Sequence, residues 1–453
     1  MTEWPTVAIG DVAKIFDGPH ATPKTVTAGP IFLGIGALQD GRINLGETRH
    51  VTPEDFASWT RRVKPQPRDV VFSYETRLGQ AAIIPEGFEC CLGRRMGLVR
   101  TDRSKLDPKF FLYYYLSPLF QDFLRSRTVF GATVDRIALK EFPSFPVALP
   151  DLREQRAIAD VLGSLDDKIE LNRRMNETLE AMAQANFRDW FVDFGPTRRK
   201  LDGAIDPGTI MGGLVQDTER AQALADLFPA TLGDDGLPLG WRETSLGAVA
   251  KATGGIVQTG PFGSQLHQSD YVSAGLPVVM PANLTYSGFR QGDFSYVSLE
   301  TTERLNKHRL KTGDIVYGRR GDIGRKALIG PYNEGWLCGT GCLKISFPPG
   351  HIPAEYLFYS LDHQNTLDWI RARAIGATMP NLNTSTLAEM PLLYPSDASL
   401  AAFEQMVKPT LALREENDQQ NGTLSATRDL LLPKLMSGEI RLSEAEQLME
   451  AAQ

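Results

Sequence analysis

The fold of this protein is decided by residues 152–190, which read LREQRAIADVLGSLDDKIELNRRMNETLEAMAQANFRDW. Apolar and amide side chains recur here at alternating intervals of four and three residues, which is the spacing of a coiled-coil seam. The seam positions are Ile158, Leu162, Leu165, Ile169, Asn172, Asn176, Leu179 and Ala183. We predict one helix, capped at its start by Asp151 and about 60 Å long at roughly 1.5 Å per residue.

The same pattern returns later, because the chain contains an internal repeat with an offset of 245 residues. The matching segments include Arg68-Asp69-Val70-Val71-Phe72 with Gly313-Asp314-Ile315-Val316-Tyr317, and Gly131-Ala132-Thr133 with Gly376-Ala377-Thr378. A period this long exceeds the roughly 20–50 residues of solenoid repeats. The repeat therefore predicts a duplicated domain.

The second copy of the seam is more polar than the first. Its positions are Phe403, Val407, Thr410, Arg414, Asn417, Asn421, Leu424 and Arg428. Such a helix would make a poor homodimeric zipper, so we predict that it packs antiparallel on the first helix within one chain. Asn172 and Asn176 would then meet Asn417 and Asn421 and fix the register. The alternative is two unrelated surface helices.

The predicted fold class is α+β, with two mixed α/β domains separated by two long antiparallel coiled-coil helices and related by an internal pseudo-twofold repeat. The segments are 1–150 (first α/β domain), 151–194 (central helix), 195–240 (linker), 241–395 (second α/β domain), 396–442 (distal helix) and 443–453 (tail). The linker is predicted to be rich in loops, with one short helix near Thr218 to Leu227. One helix is also predicted late in each α/β domain, at Pro108 to Phe123 and at Pro353 to Trp369.

Charge is distributed unevenly along the 453 residues. The whole chain carries −7, whereas residues 1–150 carry +3 and residues 241–395 carry +2, which leaves −12 for the other segments. Local charge is what phosphates experience, so the two domains remain candidates for nucleic-acid binding. No stretch is apolar enough to span a membrane, and the N-terminus has no secretory signal, so we expect a cytoplasmic protein.

The sequence contains no motif of a catalytic or metal site. We find no phosphate-binding loop, no Gly-x-Gly-x-x-Gly turn after a strand, no His-Glu-x-x-His and no Asn-Pro-Pro-aromatic tetrapeptide. The four cysteines are expected to be buried reduced thiols rather than zinc ligands. We therefore expect no catalytic residue and no metal ligand in this chain.

Candidates for DNA contact lie in the two basic domains. They are Arg61, Arg62 and Arg77 in the first domain, and Thr259, Phe262, Ser264, Gln265, Arg319, Arg320 and Arg325 in the second. Arginine and glutamine suit bidentate contact with guanine and adenine edges, and hydroxyl groups suit phosphate. The segment after Phe72 is the positional equivalent of the segment after Tyr317, but the residues differ, as expected for readers of two different sequences. For each single arginine the alternative is a solvated charged face.

Two further segments carry a family resemblance. The run from Leu149 to Ile158, its continuation from Leu165 to Glu180 and the ending Trp190-Phe191-Val192-Asp193-Phe194 resemble the central conserved helix of specificity subunits of type I restriction–modification enzymes. The segment from Arg428 to Ile440 is similar to the distal conserved region of that family. The two Gly-Ala-Thr segments also match, and Thr133 and Thr378 within them join the DNA-contact candidates.

The resemblance implies that 1–150 and 241–395 are target recognition domains, each reading one half of a split site in double-stranded DNA. The paired helices would hold the domains apart and dock two methyltransferase subunits through the seam residues, Leu424 included. Restriction and translocase subunits would join for cleavage. S-adenosylmethionine, ATP and Mg²⁺ would be bound by those partners, and this chain would hold no cofactor.

Two other classes of function stay open on the sequence alone. One is a free-standing enzyme acting on DNA, such as a nuclease with a cryptic site. The other is a coiled-coil scaffold with no DNA role. Methyl transfer or cleavage by the purified chain would favour the enzyme, and failure to shift DNA even with a methyltransferase partner would favour the scaffold.

Overall fold

The computed structural model describes residues 4–130, 134–290, 292, 294–374 and 381–450. The chain divides into two compact units. Unit 1 comprises residues 1–172 and 420–453, and unit 2 comprises residues 173–419. Each unit therefore contains one α/β domain together with part of each of two long helices.

The strands of the described residues are short. In unit 1 they are β1 (Thr6–Ala8), β2 (Ala13–Asp17), β3 (Val26–Leu33), β4 (Leu38–Gln39), β5 (Arg42–Ile43), β6 (Arg49–His50), β7 (Val70–Ser73), β8 (Ala81–Ile83), β9 (Cys90–Leu92), β10 (Met96–Thr101), β11 (Thr128–Val129), β12 (Arg136–Ile137) and β13 (Pro146–Ala148). In unit 2 they are β14 (Arg242–Ser245), β15 (Ile256–Thr259), β16 (Tyr271–Val272), β17 (Leu276–Val279), β18 (Ser295–Val297), β19 (Ile315–Gly318), β20 (Lys326–Leu328), β21 (Leu337–Cys338), β22 (Cys342–Ser346) and β23 (Pro391–Tyr394).

Two helices are much longer than the others. The helices are α1 (Ile9–Val12), α2 (Pro53–Trp59), α3 (Pro108–Leu116), α4 (Pro118–Ser126), α5 (Leu152–Phe191), α6 (Gly195–Leu201), α7 (Pro207–Ile210), α8 (Thr218–Ala225), α9 (Leu246–Thr253), α10 (Leu299–Arg304), α11 (Ala354–Ser360), α12 (Gln364–Arg373), α13 (Thr384–Ala388), α14 (Asp397–Met436) and α15 (Leu442–Glu450). Both α5 and α14 have 40 residues, so each is about 60 Å long at roughly 1.5 Å per residue.

The two α/β domains share one sheet topology. In unit 1 an antiparallel sheet has the order β2-β10-β7-β8, and in unit 2 the order is β15-β22-β19-β20. The parallel pair β3–β9 has its counterpart in β17–β21, and the ladder β1–β13 has its counterpart in β14–β23. The predicted domain duplication is confirmed at the level of strand order.

The core of each unit is continuous with its part of the long helices. In unit 1 the aromatic side chains of α3 pack in one apolar cluster with Leu162 and Leu165 of α5 and with Leu431 and Leu435 of α14. Burial of these side chains removes apolar surface from water, at roughly 25 cal/mol per Å². The α/β domain of unit 1 and the helix segments that it contacts therefore share one apolar core.

The start of α5 agrees with the sequence prediction. Oδ1 of Asp151 accepts hydrogen bonds from the backbone N–H groups of Arg153 and Glu154, both at 2.9 Å. These are two of the N–H groups that a helix start leaves without an intrahelical acceptor. The helix then runs from Leu152 to Phe191, one residue beyond the predicted end.

The prediction of a single helix late in each α/β domain is wrong. The structure has two helices there, α3 and α4 in unit 1 and α11 and α12 in unit 2. In unit 1 Pro118 cannot donate a backbone hydrogen bond and disfavours the helical conformation at Ser117, whose ψ is 146°. In unit 2 the break falls at His363, the position equivalent to Pro118. Asp362 is the residue before this break, and its carboxylate accepts a 2.6 Å hydrogen bond from the fully buried Lys326.

The prediction of a loop-rich linker with one helix is also wrong. The segment contains α6, α7 and α8, and only α8 was predicted. Pro196 and Pro207 lie at the starts of α6 and α7, where a missing N–H group does no harm. Met211 and Phe228 are buried in the same cluster as Trp190, so the linker contributes to the core of unit 2.

Candidate nucleic-acid interface and helix pair

Arg319 and Arg320 lie on the turn that follows β19. The backbone N–H of Arg319 donates to Gly341 O at 2.9 Å, and its Nε donates to Asn381 Oδ1 at 3.2 Å. Burial and the neighbouring charge of Arg320 lower the pKa of Arg319. The side chain of Arg320 is exposed. The guanidinium of Arg319 is thus hydrogen-bonded within the protein, whereas that of Arg320 is open to solvent.

Arg325 lies at the other end of this turn and is paired within it. Its guanidinium contacts Asp322 Oδ2 at 2.9–3.0 Å, and Tyr286 donates its hydroxyl to the other oxygen of Asp322 at 2.8 Å. The hydrogen bond from Tyr286 and the charge of Arg325 lower the pKa of this carboxyl group. Arg325 therefore shapes the turn as well as contributing charge.

The segment from Thr259 to Gln265 lies at the same end of the four-stranded sheet as the Arg319 turn. The hydroxyl of Thr340, on the turn before β22, donates to Pro261 O at 2.9 Å, and the neighbouring Gly341 accepts from Arg319. Thr259 is half-buried at the end of β15, whereas Ser264 is exposed and Phe262 is 60% exposed. The structure therefore brings two of the predicted segments of unit 2 together around one turn.

The side chain of Gln265 stabilises the loop that contains it. Its Oε1 accepts a hydrogen bond from the backbone N–H of Phe262 at 3.1 Å. Its backbone carbonyl accepts from Arg304, which also contacts Asp270 at 2.8 Å. This bracing fixes the conformation in which Phe262 and Ser264 reach solvent.

The arginines predicted for DNA contact in unit 1 differ in their exposure. Arg61 and Arg62 are exposed at the end of α2, and Arg62 Nη1 lies 3.5 Å from Gly18 O. Arg77 is half-buried, and its guanidinium donates to Ile35 O and Gly36 O at 3.3 and 2.8 Å. Arg77 thus supports a neighbouring turn. Thr133 and Thr378 lie outside the described residues.

The seam of the helix pair is apolar toward the start of α5 and polar near its middle. Ile158, Leu162, Leu165, Ile169 and Leu424 are buried in the core of unit 1. In the same unit Asn172 Nδ2 donates to Asn421 Oδ1 at 3.1 Å and to Gln420 Oε1 at 2.7 Å.

The asparagine contact of unit 2 repeats this arrangement. Asn417 Nδ2 donates to Asn176 Oδ1 at 2.8 Å, and Asn176 Nδ2 donates to Asp418 Oδ1 at 2.9 Å. Leu179 is half-buried beside them. Residue numbers rise on α5 as they fall on α14 within each unit, so the helices run antiparallel there.

The arginines at seam positions of α14 have acidic partners on α5, which the sequence reasoning missed. In unit 1 Arg428 Nη1 donates to Asp166 Oδ1 at 2.8 Å, and Tyr113 donates its hydroxyl to Asp166 Oδ2 at 2.7 Å. Burial lowers the pKa of Arg428, but the hydrogen bond and charge of Asp166 outweigh it and raise the pKa. The signal was present in the sequence, since an antiparallel register that pairs 172 with 421 also brings 166 near 428.

Unit 2 contains the same three kinds of residue. Arg414 pairs with Glu180, and Tyr359 donates its hydroxyl to Glu180 at 3.2 Å. Arg414 also donates to Ser287 O at 3.1 Å, which ties the loop before Phe289 to the helix pair. In each unit an acid of α5, an arginine of α14 and a domain tyrosine thus form one polar cluster.

All four cysteines are buried and free. Burial raises the pKa of Cys90 to about 12 and that of Cys91 to about 11, so both thiols stay protonated at neutral pH. Among the described residues no group of three or more histidine, cysteine, aspartate or glutamate side chains is arranged to hold a metal ion. A search of the same residues found no helix with the length and apolarity that a membrane crossing requires.

Each of the two units thus combines an α/β domain of the same topology, with basic residues on its turns, and a part of each long helix. The family described as type I restriction modification DNA specificity domain matches residues 1–181 and 238–402. These two matches cover most of the chain. The protein therefore belongs to the type I restriction–modification DNA specificity family.

Individual relatives agree with this assignment. The HindI specificity subunit of Haemophilus influenzae is 26% identical over 341 residues, which cover 68% of this chain and 72% of that subunit. The MjaIX specificity subunit of Methanocaldococcus jannaschii is 24% identical over 324 residues, covering 69% of this chain and 65% of that subunit. The crystal structure of the S subunit from M. genitalium has a TM-score of 0.58 at 15% identity, covering 95% of this chain and 96% of the other, and shares the fold.

The chain is thus a DNA specificity subunit, the non-catalytic component of a type I restriction–modification complex. Cofactors in such systems belong generally to the partner subunits. The alternatives of a free-standing enzyme and of a scaffold without a DNA role are set aside by this family membership.

Proposed function

We propose that the chain reads a bipartite site in double-stranded DNA, with one half recognised by residues 1–150 and the other by residues 241–395. The observation that carries the proposal is the duplicated sheet topology with different residues on equivalent turns. The frame that the two domains share would position each turn against DNA, and the different side chains on it would read different bases.

The proposed partners follow from the helix pair. Two methyltransferase subunits would dock on α5 and α14, and restriction and translocase subunits would join them for cleavage. S-adenosylmethionine, ATP and Mg²⁺ would be held by those subunits, and the assembly would act on DNA in the cytoplasm. The HindI and MjaIX relatives are specificity subunits of type I restriction enzymes, which supports this assignment.

The proposed DNA contacts in unit 2 centre on the Arg320 turn and the loop with Phe262 and Ser264. Both are exposed and adjoin the turn before β22. Arg319, Arg325, Thr259 and Gln265 would hold these segments in place and add charge or hydroxyl contacts. In unit 1 Arg61 and Arg62 are exposed contact candidates, while Arg77 braces the turn at Ile35 and Gly36. Thr133 and Thr378 remain candidates from the sequence.

The experiment that tests the function is a map of methylated adenines. The chain is produced together with its cognate methyltransferase subunits in a host that lacks adenine methylation, and the genome is sequenced for modified bases. We expect one motif made of two specific halves separated by unspecified bases. A continuous motif, or methylation without sequence preference, would contradict the proposal.

Replacing Arg320 with alanine is expected to relax specificity in one half-site. If its guanidinium contacts a base edge, discrimination at one position should fall by about 1–3 kcal/mol, because a bidentate contact to guanine has about that value. Binding of the complex to matched and mismatched duplexes measures this. Equal weakening on every sequence, with a smaller salt dependence, would instead indicate a phosphate contact.

The isolated chain is expected not to bind S-adenosylmethionine, because its sequence contains no Gly-x-Gly-x-x-Gly turn to hold that cofactor. Isothermal titration of the purified chain should give no binding heat, whereas the complex with methyltransferase subunits should titrate. Stoichiometric binding to the chain alone would show that it contains a cofactor site of its own.

A further inference from the structure

Each α/β domain has an arginine pair at the same end of its four-stranded sheet, but the two pairs lie on neighbouring turns and not on equivalent ones. In unit 2 the pair Arg319-Arg320 follows β19, and its backbone bonds to Gly341 on the turn before β22. In unit 1 the turn after β7 begins with Tyr74, whose N–H donates at 3.1 Å to Arg95 O on the turn before β10. The arginine pair of unit 1 is therefore Arg94-Arg95, on the neighbouring turn.

The two pairs also divide their roles in the same way. Arg95 is held, since its Nε lies 2.9 Å from Glu75 Oε2 and its Nη1 donates to Thr76 Oγ1 at 2.9 Å. Its φ of 71° is left-handed, a conformation that costs energy for a residue other than glycine and persists only where the surroundings enforce it. Arg94 beside it is exposed. Arg319 and Arg320 show the same pattern of one held and one presented guanidinium.

A cleft in unit 1 lies against this turn. Its volume is about 290 Å³, and the residues that line it include Gly34, Ile35, Gly36, Glu47, Arg49 and Arg94. Arg49, Arg94 and Glu47 are exposed. The cleft therefore presents two guanidinium groups and one carboxylate at its surface, with the backbone of Gly34 to Gly36 as one wall.

Arg77 supports that wall. Its guanidinium donates to the carbonyls of Ile35 and Gly36, which both line the cleft. A predicted DNA-contact residue of unit 1 is thus a positioning residue for this cleft. The exposed arginines on its surface, Arg94 and Arg49, are not among the residues that the sequence predicted for DNA contact.

We propose that this cleft reads a G·C base pair in the half-site of the first domain, with Arg94 as the specificity-determining residue. An arginine fork matches the O6 and N7 acceptors of guanine, and a carboxylate accepts a hydrogen bond from N4 of cytosine. Glu47 supplies that carboxylate, and Arg49 adds the charge that attracts the backbone. The inference rests on the proposed function, because it names the reading residues of a bipartite site.

The test uses the complex of the full chain with its methyltransferase subunits, first with the wild-type sequence and then with Arg94→Ala. Methylation rates are measured on duplexes in which each specific base pair of either half-site is exchanged in turn. We expect the variant to lose about 10- to 100-fold discrimination at one G·C position of one half-site. Discrimination in the other half-site should not change.

Arg125→Ala is the matched control, since Arg125 is an exposed arginine of the same unit that pairs with Asp122 on α4. It should leave every preference unchanged. Arg94 is exposed, so its removal should not alter the thermal unfolding of the chain, which circular dichroism verifies.

The outcomes separate the two hypotheses. A wild-type complex without a bipartite motif would overturn the proposed function itself. A wild-type bipartite motif with unchanged preferences in Arg94→Ala would overturn the inference alone. Uniform weakening on all duplexes would also overturn it, because Arg94 would then contact phosphate rather than a base edge.

Discussion

Exchange of residues 241–395 for the equivalent block of a relative is expected to change one half of the methylated site completely and to leave the other half as it was. The reason is that the first α/β domain belongs to unit 1, which has its own core and its own part of the helix pair. The measurement is the genomic methylation motif of the hybrid complex.

The structure makes this exchange feasible because the ends of the block are neighbours. β14 and β23 form one antiparallel ladder in which Arg242 is opposite Tyr394. Both junctions therefore fall beside a single two-stranded sheet. The donor block should keep Tyr356 and Tyr359, since the ring of Phe187 packs on both at about 6 Å.

The control for this prediction is the reciprocal exchange of residues 1–150. It should alter the half-site that the first hybrid preserved. If either exchange changed both halves together, the two domains would not read DNA independently, and the two-reader proposal would be wrong.

Reversal of one charge in the helix pair is expected to destabilise unit 2 strongly. In Glu180→Arg two guanidinium groups would meet where the side chains of Glu180 and Arg414 are only 12% and 13% exposed. Breaking a buried ion pair by changing one partner typically costs about 3–5 kcal/mol, because a charge remains without its counterion. The denaturation midpoint in urea should fall accordingly, and assembly with methyltransferase subunits should weaken.

The double variant Glu180→Arg with Arg414→Glu is expected to recover part of the lost stability, because the ion pair is restored while the hydrogen bonds to Ser287 O and from Tyr359 are lost. Glu177→Arg is the matched control on the same helix, since Glu177 is exposed, and a surface charge change has an effect of about 1 kcal/mol or less. A double variant no more stable than Glu180→Arg would show that charge pairing does not stabilise this contact.

The helix pair illustrates how far the sequence reasoning reached. The alternation of four and three residues placed α5 correctly from Asp151 to its last turn, because a periodic apolar stripe is a local property. The asparagines at the middle of the repeat suggested an antiparallel pair. The role of Arg414 and Arg428 was missed, because their acidic partners are more than 200 residues away in the chain.

The candidate interface was less predictable. The arginines of the Arg320 turn stand out in a basic segment, and the structure leaves Arg320 exposed there. Arg77 was chosen on the same grounds, yet it donates to the carbonyls of Ile35 and Gly36. Nothing in the sequence near Arg94 marks it as exposed, although its turn adjoins the one that begins with Tyr74. The sequence shows where the charged residues are. Which groups they contact depends on the turns that the folded sheet brings together.

The sequence by itself determined the duplicated order of domain and helix, since repeats and periodicity are properties of the chain. Only the tertiary structure decided which side chains meet. The break at His363 shows why, because no local signal marks it as Pro118 marks its counterpart. That break accompanies the contact between Asp362 and the buried ammonium of Lys326, which lies 36 residues earlier. Contacts of this kind form only when distant segments are packed together, since burying a charge requires a partner from elsewhere in the fold.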